Sequence, residues 1–170
     1  MRLPFLRKAV AKDEPLVVSM SGVRLGDAVA FAGPSATLAL PLAARTGLSG
    51  RCLIVGTSAI TSALEATATR EGLLVEVAEH FPTDRSLDLV VVEGVGAWAA
   101  AAAGARHAVR SGGRLVVVSG SVPQGLLARL RRSTPAIAPE AIVETLSGQG
   151  WQRARAIGGR DGLLFVEAFA

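Results

Sequence analysis

Two glycines and two carboxylates stand where this chain could do chemistry. Gly33 closes the apolar run Ala28–Ala32, and Gly56 closes Arg51–Val55. Glu79 follows a run at 73–77, and Glu93 follows the clearest run in the chain, 87–92. Short apolar runs bounded by turn residues read as strands buried on both faces. In open α/β sheets, ligands bind beyond the carboxyl ends of the strands. All four residues therefore fall on a single edge where a ligand can lie. A carboxylate there accepts hydrogen bonds from hydroxyls or amines. A glycine lets the backbone approach a ligand with no Cβ in the way.

Other chemistry-bearing residues are few. The two histidines, His80 and His107, and the one cysteine, Cys52, show no metal-ligand spacing. A lone cysteine excludes an internal disulfide, and within Cys52-Leu-Ile-Val55 it reads as a small buried hydrophobe, not a nucleophile. His80 sits near the ligand edge but has no identifiable partner, whereas His107 falls within a helix predicted over 97–110. Gly94, Gly96 and Ala99 match the G-x-G-x-x-A dinucleotide fingerprint. That motif also needs an acid at the end of the following strand, and Val118-Ser119-Gly120 supplies none. Trp98, beside it, reads as core packing.

The elements that must position these residues alternate. Strands are expected at Ala28–Ala32, Arg51–Val55, 73–77, 87–92 and 114–119. Helices are expected at 36–45, 59–70 and 97–110, with Ser58 placed to cap the second. Pro41 should kink the first of these helices or mark its first turn. Parallel strands need crossovers, and helices supply them. The apolar stretch 16–20 reads as a short helix and 124–132 as another, with a Pro-containing loop at 133–139. Pro139 should open a helix over 140–146. Runs at 151–157 and 163–169 around Gly158-Gly159-Arg160-Asp161-Gly162 read as an antiparallel hairpin. The fold class is α/β: a Rossmann-like three-layer sandwich, mainly parallel, with a C-terminal antiparallel hairpin. Residues 1–22 form an N-terminal segment and candidate lid, and 23–170 one domain.

The 170 residues are half hydrophobic, with a mean hydropathy of +0.43. No apolar run reaches the roughly 18 residues a membrane span needs. The first ten residues lack the apolar core and cleavage site of a secretory signal, so the cytoplasm is the default location. Net charge is +4, and the excess is arginine, notably Arg129, Arg131, Arg132, Arg153, Arg155 and Arg160. With 4% aromatics and no tyrosine, base-stacking platforms are scarce. The charge reads as a solvated face, with no strong nucleic-acid signal.

Three stretches resemble class I S-adenosylmethionine-dependent methyltransferases. Val23-Arg-Leu-Gly-Asp27 leading into 28–33 resembles the approach to that family's first motif. Leu87-Asp-Leu-Val-Val-Val92 resembles its fourth strand, and Arg110-Ser-Gly-Gly-Arg-Leu-Val-Val-Val118 the turn into its fifth. The terminal hairpin fits as well. The resemblance implies an S-adenosylmethionine cofactor and a site made of Gly33, Ser35 and Thr37 in the first loop, Gly56 and Thr57 after the second strand, Glu79 near the adenine, and Glu93 facing the substrate. It also shows departures. Phe31 stands where the family has an acid, Ser35 and Thr37 replace glycines, and Gly56 stands where a carboxylate would accept the ribose hydroxyls. Losing a charged hydrogen bond costs about 1.5–3 kcal/mol, roughly ten- to a hundredfold in affinity.

The expected function is methyl transfer to a small-molecule or lipid-like acceptor, which asks mainly for positioning and a dry pocket and fixes no catalytic residue. The alternative is a pseudoenzyme that keeps the scaffold as a binding module.

Overall fold

The computed structural model describes residues 14–120 and 137–170. The helix expected at 124–132, its three arginines and most of the N-terminal segment lie outside the described residues. Seven strands form one sheet: β1 Ala28–Ala32, β2 Arg51–Val55, β3 Glu76–Ala78, β4 Leu87–Glu93, β5 Val109–Gly120, β6 Gln152–Arg160 and β7 Leu163–Phe169. Their order is β3-β2-β1-β4-β5-β7-β6. The first five are parallel, and β7 and β6 run antiparallel at one end.

Helices α1 Leu16–Ser21, α2 Ala36–Thr46 and α3 Ser58–Arg70 cover one face, and α4 Trp98–Ala105 and α5 Pro139–Gly148 the other. Alternation along the central strands explains the two layers. Val29, Phe31, Leu89 and Val91 point into the α1–α3 layer. Ala30, Ala32, Val90 and Val92 point into the α4–α5 layer. A continuous apolar run is what a strand covered on both faces requires.

Several elements differ from the sequence reading, each for a tertiary reason. The third strand is only three residues long and begins later than expected. It is an edge strand paired on one side, and only Glu76, Val77 and Ala78 meet β2. The fourth helix ends at Ala105, not near residue 110, because Val109 already pairs with Leu87. His107 thus lies in an exposed turn, not within a helix. Gly112 and Gly113 do not close that helix. They lie inside β5 where the register shifts, with Gly112 at φ +75°, so β5 is twice the expected length. Ser58 is the first residue of α3 rather than its cap; Thr57 takes the cap position without a side-chain hydrogen bond.

Pro41 stays inside α2. An interior proline costs about 3 kcal/mol. Buried Leu38, Leu40 and Leu42 each return about 1.5–3 kcal/mol, so packing outweighs propensity. The hairpin turn is Asp161-Gly162, with both residues at positive φ, the twist that two-residue hairpin loops favour. Burial in β2 pushes the Cys52 thiol up to about 12, which keeps it protonated and inert.

Phe31 is fully buried in the α1–α3 layer. Phe31→Ala should therefore cost about 3–5 kcal/mol, read from urea unfolding. Because the ring faces away from the α4 layer, the variant should gain no ligand affinity on that side.

Candidate functional site

A cleft of about 370 Å³ opens at the carboxyl edge of the sheet, on the α4 side. Its floor is Ala32, Val55 and Gly56, at the tips of β1 and β2. Glu79, His80 and Phe81, leaving β3, form one wall. Ala97, with Ala100, Ala101 and Gly104 of α4, forms the other. The alanine run that makes α4 a helix also makes the space, because no side chain longer than a methyl enters from that wall. Phe81 is partly buried and packs against the α4–α5 core. A Cβ on Gly104 would lie 3.4 Å from its ring. The cleft is thus a slot between an aromatic ring and a methyl-lined helix, with a carboxylate and an imidazole exposed at its rim. Sites of this size and apolar character, with a few polar groups, suit small ligands.

The structure divides the residues implied by the resemblance into two groups. Gly56 and Glu79 line the cleft, and Thr57 stands exposed at the start of α3 with its carbonyl accepting the N–H groups of Ile60 and Thr61. The remaining residues cluster around the loop after β1, on the α2 side. Gly33 lies at φ +156°, and a Cβ there would be 2.5 Å from the Cβ of Glu93 and 3.1 Å from the Phe31 ring. The Ser35 N–H donates to Glu93 Oε2 at 2.9 Å. The Ser35 and Thr37 hydroxyls share a hydrogen bond of 2.7 Å. Thr37 opens into a separate recess between α1, α2 and the hairpin turn.

Glu93 points this way because β4 alternates. Val92 faces α4, so Glu93 faces the α2 layer with Val91 one turn of the pleat away. It bridges β4 to the β1 loop at the point where the strand order reverses, since β2 and β3 lie on one side of β1 and β4 on the other. Half-burial pushes its carboxyl above the usual range, and the Ser35 N–H offsets part of that rise.

Phe31 does not fill the cleft; its side chain is in the opposite layer. The glycines of the dinucleotide-like motif have structural reasons: Gly96 sits at φ +55° with open space around it, and Gly94 is packed against β5. Gly94 donates its N–H to Val118 O at 2.7 Å, and a Cβ there would approach that carbonyl to 3.2 Å.

No family sequence model matches the chain, and no curated protein sequence does. Solved structures do match. A SAM-dependent methyltransferase from Aquifex aeolicus superposes with a TM-score of 0.72 at 17% identity, over 92% of this chain and 88% of that one. A SAM-dependent O-methyltransferase from Thermotoga maritima gives 0.65 at 15% identity, over 99% and 66%. PigF, solved with SAH, gives 0.63 at 14%, over 85% and 50%. The chain has the class I methyltransferase fold. It spans most of the Aquifex protein, about two thirds of the Thermotoga protein and half of PigF.

Within this methyltransferase fold, sequence reasoning named Glu79 and His80 at one wall of the cleft but missed Phe81 beside them and the whole α4 wall. Phe81 was legible as an aromatic two residues past Glu79. The alanines of α4 carried only a helix signal, and nothing in their spacing distinguishes a wall from a packed face. Among the described residues no helix is long and apolar enough to cross a membrane.

Glu93 sets a pH test. Its folded-state value lies above the ordinary 4.5, so between those two values the native state binds more protons than the unfolded chain. Stability from this group is therefore lost as pH rises through that window. Glu93→Gln should remove the dependence. Its urea-unfolding stability relative to wild type should improve as pH climbs from about 4 towards neutrality. The opposite slope would mean that the Ser35 N–H outweighs burial.

Proposed function

We propose that the chain binds S-adenosylmethionine in the α4-side cleft and transfers its methyl group to a small-molecule or lipid-like acceptor. The observation that carries this reading is the cleft itself. It lies beyond the carboxyl tips of β1, β2 and β3, where open α/β sheets take ligands, and its walls suit a flat ring with a polar edge. Phe81 and the methyls of Ala100 and Ala101 would enclose the adenine faces, Glu79 would accept from its exocyclic amine, and the backbone at Ala32 and Gly56 would allow close approach of the sugar. When bound, the cofactor supplies an electrophilic methyl on sulfur. The chain's own part is to orient the partners and exclude water. Glu93, held at the strand-order reversal by the Ser35 N–H, faces the α2 layer and does not line this cleft, so the reading rests on Glu79 as the carboxylate at the ligand.

Gly56 favours a second reading, a non-catalytic module that keeps the scaffold. No carboxylate stands at the tip of β2 to receive ribose hydroxyls. The position has room for one, since a Cβ there would meet nothing closer than 3.8 Å.

Calorimetry separates the two readings. Wild type should bind S-adenosylmethionine, and Gly56→Asp should tighten it roughly tenfold or more, the value of a charged hydrogen bond. No heat with either protein, together with no thermal shift at millimolar ligand, would leave the binding-module reading.

A further inference from the structure

We propose that the recess between α1, α2 and the β6–β7 turn is a second ligand site, shaped for a single-ring apolar molecule that carries a hydroxyl. Its place in the fold is the first reason. Thr37 lies in the first turn of α2, directly after the tip of β1, and Leu163 opens β7 opposite Gly120, the last residue of β5. The recess therefore sits at the same carboxyl edge as the cleft, on the other face of the sheet. The Glu93–Ser35–Thr37 contacts lie between the two.

Size and lining are the second reason. The volume is about 170 Å³, walled by Leu16, Val17, Leu38 and Leu163. An apolar cavity of about 150 Å³ is enough for one benzene ring. A peptide helix, about 10 Å across, does not fit such a space. Val17, Leu38 and Leu163 are buried members of the α1–α3 core, so the floor is apolar.

The polar groups at the mouth are the third reason. Thr37 and Ser35 hydroxyls share one hydrogen bond. Thr37 lines the mouth and Ser35 does not; when Ser35 donates the shared bond, the Thr37 proton remains to donate into the recess. The Asp161 carboxylate, also at the mouth, is exposed and accepts. A hydroxyl on the ring satisfies either group, which a plain hydrocarbon cannot.

The site stands apart from the methyltransferase reading: it shares no lining residue with the cleft, and the Glu93–Ser35–Thr37 contacts separate the two, so a ring seated here binds beside the cofactor cleft and not against it.

Phenol is the probe. Titrated into the full chain with methyl-labelled Ala, Leu and Val, it should produce saturable shifts at Val17, Leu38 and Leu163. Thr37→Val, which keeps the shape and removes the hydroxyl, should weaken phenol about fivefold and leave toluene unchanged. Thr37→Phe, at an exposed position, should block both. No saturable shift at these methyls would overturn the site. So would Overhauser contacts showing residues 1–13 seated against them in the free protein. S-adenosylmethionine added to the same sample reports separately through the Ala97, Ala100 and Ala101 methyls. Phenol shifts without those cleft shifts would overturn the methyltransferase reading and keep the ligand site. Cleft shifts without phenol shifts would do the reverse.

Discussion

Parallel pairing of β1 with β4 joins the two halves of this chain, Val29 to Ala32 lying against Leu89 to Val92. These strands are far apart in sequence, and their eight paired residues are all buried. Burial on both faces removes water as a partner for their backbone groups, so the ladder must satisfy them. Once that register is set, the rest of the functional edge follows. Gly33 is brought against Glu93, the loop after β1 is clamped by the Ser35 N–H, and the strand order reverses at this seam. Slipping the pairing by one residue would turn Phe31 and Ala32 to opposite layers and lose both recesses.

The two faces of that seam are built from different side chains, and the difference makes the ligand spaces. On the α4 side β1 contributes Ala30 and Ala32, and the helix contributes a run of alanines. Small residues meet small residues, and a slot is left where Phe81 does not reach. On the α2 side β1 contributes Val29 and Phe31, which fill the layer completely. There the open volume is pushed outward to the recess bordered by Thr37 and Leu163. The resemblance made Phe31 look like the loss of a cofactor group. In the fold it is a core anchor, and its size seals one layer while the other stays open.

Charge is handled locally. Asp88 accepts from the Ala28 N–H and from Arg110, tying the opposite, amino-terminal edge of β1 to β4 and β5. Glu167, buried in β7, is met by Arg155 of β6. Glu93 is different. Among the described residues no cation lies within ion-pair distance of it, and a single backbone N–H holds it. A half-buried carboxylate with so little support is destabilising as an anion, which is why its titration reports on the site.

By itself the sequence determined the layer order. Alternating apolar runs and helices, with glycines between them, leave little choice but a parallel sheet with crossovers. The pairs Ala28–Ala32 and Arg51–Val55 are legible to the residue because a buried strand is apolar throughout and turn residues bound it. Edge β3 and the glycines within β5 were not legible, because pairing on one side and a register shift depend on a neighbour, not on local composition. The candidate site divided in the same way. Its edge could be read from the strand tips. Which layer each side chain enters could not, because Ala32 and Val55 turn to the α4 side and Glu93 to the α2 side only after β1, β2 and β4 have fallen into register.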